Sequence, residues 1–99
     1  MTAREIIFRP EARLEAEEAY RWYEGKRLGL GEELLLVIDA AIEQIQRSPE
    51  IGPIVHRNVR RVLTRRFPYG IYYVVESSRL VVIAVFHGRR DPRDLQKRQ

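Results

Sequence analysis

The sequence contains no cysteine, so the chain can form no disulfide framework and carries no thiolate nucleophile. Histidine is also scarce, because His56 and His87 are the only two, too few to form a zinc site without carboxylate ligands. The longest apolar run, Leu80–Phe86, is far shorter than the roughly 20 residues that span a membrane. Neither a glycine-rich phosphate loop before a helix nor a G-x-S-x-G turn is present. We therefore expect no metal, no cofactor and no membrane partner.

The length and composition indicate one small soluble domain. The chain has 99 residues, of which 44% are hydrophobic and 32% charged, so a second independent core is not available. We predict a single domain over residues 1–99. The N-terminus lacks a basic stretch followed by an apolar run, so we expect no signal peptide and a cytoplasmic location.

Charge is distributed unevenly along the chain. Residues 1–55 have a net charge of −4, whereas residues 56–99 have a net charge of +8. A cationic half attached to an acidic half indicates a polyanionic partner, either a nucleic acid or an acidic protein segment. Arginine makes up 16 of the 18 basic residues. Arginine suits phosphate recognition but is also a general surface residue, so this bias alone does not choose between the two partners.

The apolar spacing of the first half predicts two helices. A short strand at Glu5–Phe8 precedes Pro10, which is tolerated in the first turn of a helix. Gly25 and Gly29 are expected to end the first helix, and Ser48-Pro49 to end the second. The connection is so short that the helices should pack as an antiparallel hairpin. The apolar faces are Ala12, Ala16, Ala19, Tyr20 and Tyr23 on the first helix, and Leu34, Leu35, Ile38, Ala41, Ile42 and Ile45 on the second.

The second half is typical of strands. Val59–Thr64, Gly70–Glu76 and Leu80–His87 are rich in valine, isoleucine, tyrosine and phenylalanine and should form three antiparallel strands. Leu80–Phe86 shows no alternation, which indicates a central strand covered on both faces. The order strand-helix-helix-strand-strand-strand predicts an α+β two-layer sandwich, with the helical hairpin on one face of a mainly antiparallel sheet. The other face should be open, and residues Pro92–Arg98 could be a last helical turn or a frayed tail.

Two basic stretches are the candidate functional sites. The first holds five arginines in ten residues. Such clustering calls either for an anionic ligand or for ion pairs with helix residues Glu11, Glu15, Glu18 or Glu43. The second surrounds His87, which could transfer protons at an anionic substrate or could simply hydrogen-bond locally and fix the strand end. The stretches comprise Arg57, Arg60, Arg61, Arg65 and Arg66, and then Arg89, Arg90, Arg93, Lys97 and Arg98.

Four apolar residues lie outside the two helical faces. Leu14 and Trp22 are on the first helix, and Leu36 and Val37 are on the second. Exposed apolar side chains of this kind indicate a protein partner or a second copy of the chain, unless the C-terminal tail covers them.

Five segments in order resemble the RelE/ParE superfamily of toxins from bacterial type II toxin–antitoxin modules. They are FRPEARLEAEEAYRWYE (Phe8–Glu24), GLGEELL (Gly29–Leu35), SPEIGP (Ser48–Pro53), VRRVLTRRFPYGIYY (Val59–Tyr73) and VFHGRRDP (Val85–Pro92). The resemblance implies the same helical hairpin on an antiparallel sheet. It also implies a cognate antitoxin whose extended acidic or amphipathic segment wraps around the toxin and covers Leu14, Trp22, Leu36 and Val37.

The superfamily contains two activities, and the resemblance is closer to the ParE branch. ParE-like toxins stop growth and stabilise plasmids by poisoning DNA gyrase. They need binding surface more than catalytic groups. FPYGIYY and HGRRDP resemble this branch. The implied target-binding residues are Arg60, Arg61, Arg65, Arg89, Arg90 and Arg93.

The alternative is a RelE-like toxin, which cuts messenger RNA on the ribosome without a metal. In that case Arg61, Arg65 and Arg66 would hold the phosphate and His87 would act on protons. The lysine pair of RelE before the second strand is absent, and Gly88 stands where several nuclease members have a tyrosine. A further alternative is a non-toxic nucleic-acid-binding module.

Overall fold

The computed structural model describes residues 4–98, and of Lys97 it describes the backbone only. Within that range the chain forms two helices, five strands and a short 3-10 helix, which we call the C-terminal segment. The helices are α1 (Pro10–Lys26) and α2 (Leu30–Arg47), and the C-terminal segment is Pro92–Arg98. The strands are β1 (Glu5–Phe8), β2 (Ile54–His56), β3 (Val59–Leu63), β4 (Tyr69–Val75) and β5 (Arg79–His87).

The strands form one mixed sheet in the order β1-β5-β4-β3-β2. The pairs β3–β4 and β4–β5 are antiparallel, as the sequence predicts. β2 also pairs antiparallel with β3, whereas β1 runs parallel to β5 at one edge. β2 forms the other edge and was not predicted, because three residues after Pro53 are too short for a recognisable pattern. The α+β architecture with strand-helix-helix-strands order is confirmed.

The two helices are joined by a tight connection around Gly29. Gly29 has a φ of 90°, a left-handed conformation that glycine adopts without a Cβ clash. The Glu24 carboxylate accepts hydrogen bonds from the backbone N–H groups of Gly29 (2.9 Å) and Gly31 (2.8 Å), so it caps the start of α2. Gly25, which we expected to break the first helix, instead lies within the last turn of α1.

Apolar side chains pack on both faces of the sheet. The main core lies between the helices and the sheet and includes Ala12, Leu34 and Ile38. On the opposite face the C-terminal segment contributes Leu95, which is fully buried in a second cluster with Tyr72 and Phe86. The prediction that this face is open is therefore wrong where the C-terminal segment covers it. The expectation that β5 is covered on both faces is confirmed, because Leu80–Phe86 is buried throughout.

Candidate functional site

The Arg60 side chain binds backbone groups of this chain. Its Nη1 donates hydrogen bonds to the backbone carbonyls of Glu50 (3.2 Å) and Gly52 (2.8 Å). The hydroxyl of Tyr73 fixes the same loop, because it donates to the Pro49 carbonyl (2.7 Å) and accepts from the Gly52 N–H (3.1 Å). Burial raises the pKa of Tyr73, although the Gly52 N–H and the nearby Arg60 charge act in the opposite direction. Arg60, predicted to bind a target, thus holds the loop before β2.

Arg66 closes the β3–β4 turn onto α2. Its guanidinium forms an ion pair with Glu33 at 2.7 Å and lies 5.3 Å from the ring centroid of Phe67. Arg27 contacts the same carboxylate at 2.8 Å. Hydrogen bonds from Arg66 and then from Arg27 hold the pKa of Glu33 below its ordinary value. The partner is thus a helix glutamate, as one of the two alternatives required, but it is Glu33 and not Glu11, Glu15, Glu18 or Glu43.

The arginines after β5 are also largely paired. Arg93 contacts Asp91 at 2.8 Å, and this hydrogen bonding lowers the pKa of Asp91. Arg90 contacts Asp94 at 3.2 Å and Glu15 at 3.5 Å, and its guanidinium lies 4.5 Å from the ring centroid of Phe86. Among the described residues, the side chain of Arg89 has neither an ion pair nor a hydrogen bond.

A clasp formed by Glu15 and Arg98 joins α1 to the C-terminal segment, and this pairing was not predicted from the sequence. Arg98 binds both carboxylate oxygens of Glu15, each at 2.9 Å, and donates to the Ile83 carbonyl at 3.1 Å. The same carboxylate accepts the N–H of Val85 at 3.0 Å. β1 ends at Phe8, so these side chains occupy the edge of β5 that β1 leaves uncovered. The clasp thereby anchors Leu95 over the second face of the sheet.

His87 lies at the exposed end of β5. Its Nδ1 accepts a hydrogen bond from the backbone N–H of Arg89 at 3.1 Å, which is the local role that the sequence left open. Of the arginines in the nuclease hypothesis, Arg66 is held toward α2 by Glu33, and Arg61 lies on the sheet face opposite the helices. Arg65 is exposed just after the end of β3.

A groove of about 660 Å³ runs between α1 and the end of β5. Trp22 and Glu18 form the helical wall, and Tyr69, Phe86 and His87 form the other side. The Trp22 indole is 57% exposed and lies in edge contact with Tyr23, at 4.9 Å between ring centroids. The groove therefore combines an aromatic lining with charged groups of both signs, which suits a peptide more than a small anion.

Three of the four residues expected to contact an antitoxin are exposed. Leu14 is 52% exposed and, like Trp22, lies on α1, and Leu36 is 69% exposed on α2. Val37 is partly buried and packs against the main core. Sequence reasoning missed other large exposed apolar side chains, because they lie in turns, loops and strands where no helical pattern marks them: Leu28, Ile51, Ile54 and Leu63.

Within residues 4–98, no group of three or more histidine, aspartate or glutamate side chains is placed to hold a metal ion. The described helices include none with the length and hydropathy needed to span a membrane.

Comparisons with known proteins agree with this architecture. Residues 6–92 match the family described as the ParE toxin of the type II toxin–antitoxin system parDE. A chain of a solved structure, the chromosomal ParDE toxin–antitoxin system from P. aeruginosa, is similar in fold with a TM-score of 0.76 at 13% sequence identity. The similarity covers 86% of this chain and 96% of that chain. No curated protein matches at a significant level. Because the family match spans most of the sequence, the chain belongs to the ParE toxin family of type II toxin–antitoxin systems.

Proposed function

We propose that this protein stops bacterial growth by poisoning DNA gyrase and that a cognate antitoxin neutralises it. Membership of the ParE family supports the first part, together with the resemblance of the FPYGIYY and HGRRDP segments to the gyrase-poisoning branch. The observation that carries the proposal is the set of contacts made by the candidate catalytic side chains. His87 hydrogen-bonds to the N–H of Arg89 and Arg66 pairs with Glu33, so two of the candidate catalytic groups are engaged with other groups of the chain, which suits binding more than proton transfer.

The antitoxin is proposed to lie along α1 and in the groove beside Trp22. This surface exposes Leu14 and Trp22 and leads to the uncovered end of β5 at His87. An apolar segment of the antitoxin would bury these side chains. Because each is already about half covered, its burial contributes about half of the roughly 1.5–3 kcal/mol of a fully exposed apolar side chain. Charged side chains at the rim, such as Glu18, would set the register of the complex more than its affinity.

Expression in a bacterial host tests the first part. We expect growth arrest when the toxin is produced alone, with chromosomal DNA breaks that require gyrase. A host carrying a gyrase variant resistant to the toxin should grow normally. Cleavage of translated messages without DNA breaks would contradict gyrase poisoning and favour the RelE-like activity, whereas harmless expression of folded protein would contradict both.

Co-expression with the antitoxin tests the second part. Trp22→Ala should remain toxic but escape neutralisation, because the indole is exposed and contributes little to the core. Ile51→Ala is the matched control, since Ile51 is 45% exposed and lies outside the groove. Full neutralisation of toxic Trp22→Ala would contradict the proposed antitoxin surface.

A further inference from the structure

Four arginines of the basic half have no partner within residues 4–98. Six others in this half are used internally, either in ion pairs or, for Arg60, in hydrogen bonds to backbone carbonyls. The four make neither an ion pair nor a side-chain hydrogen bond with any described residue. They are Arg57, Arg61, Arg65 and Arg89.

These four arginines follow β3 from one end to the other. Arg57 is in the turn before the strand, Arg61 is at its centre and Arg65 follows its end. The five residues of β3 span about 17 Å, so Arg57 and Arg65 lie beyond opposite ends of the strand, with Arg61 between them. Arg89 extends the row, because the adjacent Gly88 donates a backbone hydrogen bond to Pro68 at 2.8 Å and lies against the side chain of Leu63.

Arg61 is turned away from the helices. On β3 it alternates with Val62, which packs against the main core, and it lies opposite Tyr72, which belongs to the second cluster. Its side chain passes over Gly70, where an added Cβ would lie only 3.2 Å from the Arg61 Cδ. The half-buried aliphatic part of the Arg61 side chain thus lies against the sheet, while its guanidinium pairs with no carboxylate among the described residues.

Arg57 is held in a backbone conformation that arginine rarely adopts. Its φ is 52°, at the first of the two residues that connect β2 to β3, where hairpins of this length favour glycine. Arg66 is the other described non-glycine residue with positive φ, at 69°, and its guanidinium has a clear internal use in the Glu33 ion pair. Arg57 is exposed, and no internal contact explains why an arginine stands there.

We infer that Arg57, Arg61, Arg65 and Arg89 form a track for the phosphodiester backbone of a nucleic acid. The row presents four cations that have no internal anion, and a linear polyanion can contact all of them along its length. Arg57 lies at one end of the track, and the contact of its guanidinium with a phosphate accounts for an arginine in this unfavourable backbone conformation. The track goes beyond the proposed function, because gyrase poisoning does not require the toxin itself to contact nucleic acid.

Binding of purified protein to a 20-base-pair DNA duplex and to a 20-nucleotide RNA, each over a range of salt concentrations, tests the track. If all four arginines contact phosphates, log K should fall with log salt with a slope of about −3.6 for duplex DNA, or about −2.8 for RNA. Arg57→Gly should reduce the magnitude of the slope by about 0.9 on DNA or 0.7 on RNA, without lowering the melting temperature. Arg57→Lys keeps the charge and should keep the slope.

Arg47→Ala is the control, because Arg47 is an exposed arginine in the last turn of α2, on the side of the sheet opposite Arg61. Its salt slope should equal that of the wild type. Preferential binding of DNA would support the track and agree with gyrase poisoning, whereas preferential binding of RNA would support the track and count against gyrase poisoning. An unchanged slope for Arg57→Gly would overturn the inference, as would binding of polyglutamate but of neither nucleic acid, or no binding at 50 mM salt.

Discussion

Replacing Glu15 by alanine tests how the C-terminal segment is attached. The change removes both hydrogen bonds to Arg98 and leaves the Val85 N–H without its acceptor. Loss of the acceptor for a buried N–H costs about 1–3 kcal/mol. The Arg98 and Glu15 side chains are only 15% and 17% exposed, so loss of the ion pair adds about 1–2 kcal/mol, less than for a fully buried pair. We expect a total destabilisation of about 3 kcal/mol.

Thermal unfolding followed by circular dichroism measures this effect. In a domain of this size, 1 kcal/mol shifts the melting temperature by roughly 4–8 °C, so Glu15→Ala should melt roughly 12–24 °C lower. Glu15→Gln keeps an acceptor for Val85 and should lose about half as much.

Glu17→Ala is the matched control for the Glu15 substitution. Glu17 lies on the same helix and pairs with Arg21 at 3.5 Å, but both side chains are more than half exposed. Its loss should cost less than about 0.5 kcal/mol. If Glu15→Ala and Glu17→Ala have the same melting temperature, the clasp does not stabilise the fold and the reasoning is refuted.

Three further substitutions test other parts of the structure. Arg60→Ala should destabilise the protein by about 1–3 kcal/mol in urea unfolding, because two carbonyls of the loop before β2 lose a charged donor. An unchanged urea midpoint would show that these hydrogen bonds do not stabilise the loop. Gly29→Ala should cost about 1 kcal/mol, since alanine is disfavoured at a φ of 90°, and equal stability would contradict the left-handed assignment. The folded pKa of Glu33 is depressed below 4.5, so its contribution is present above that pH and is lost as the pH falls through the folded value. Urea midpoints between pH 7 and 3 should therefore converge for wild type and Glu33→Gln, and a constant difference would contradict this.

Local sequence patterns predicted the parts of the fold that depend on periodicity. The buried face of α2, with Leu34 and Ile38, follows the helical period, and the unbroken apolar run of β5 indicated burial on both faces. The sequence does not predict the conformation of the C-terminal segment, because Leu95 is its only large apolar residue. The parallel position of β1 was also not predicted, since nothing in four residues encodes a partner strand.

The roles of the arginines could not be predicted because they depend on tertiary contacts. Arg98 and Glu15 are separated by 83 positions, and Arg66 and Glu33 by 33. The five arginines of this stretch look alike in the sequence. In the fold, Arg60 donates hydrogen bonds to the loop before β2, and Arg66 pairs with Glu33 of α2. Arg61 and Arg65 remain without internal partners among the described residues, and they stay predicted target-binding residues.

The central claim is that this ParE-family protein acts on DNA gyrase. The most direct measurement is a cleavage assay with purified toxin, gyrase, ATP and supercoiled plasmid, with the DNA released by detergent and protease before electrophoresis. The account predicts that linear plasmid accumulates with toxin concentration and that pre-incubation with the antitoxin abolishes it. Uncut plasmid at every concentration of a folded toxin that arrests growth in cells would contradict the account.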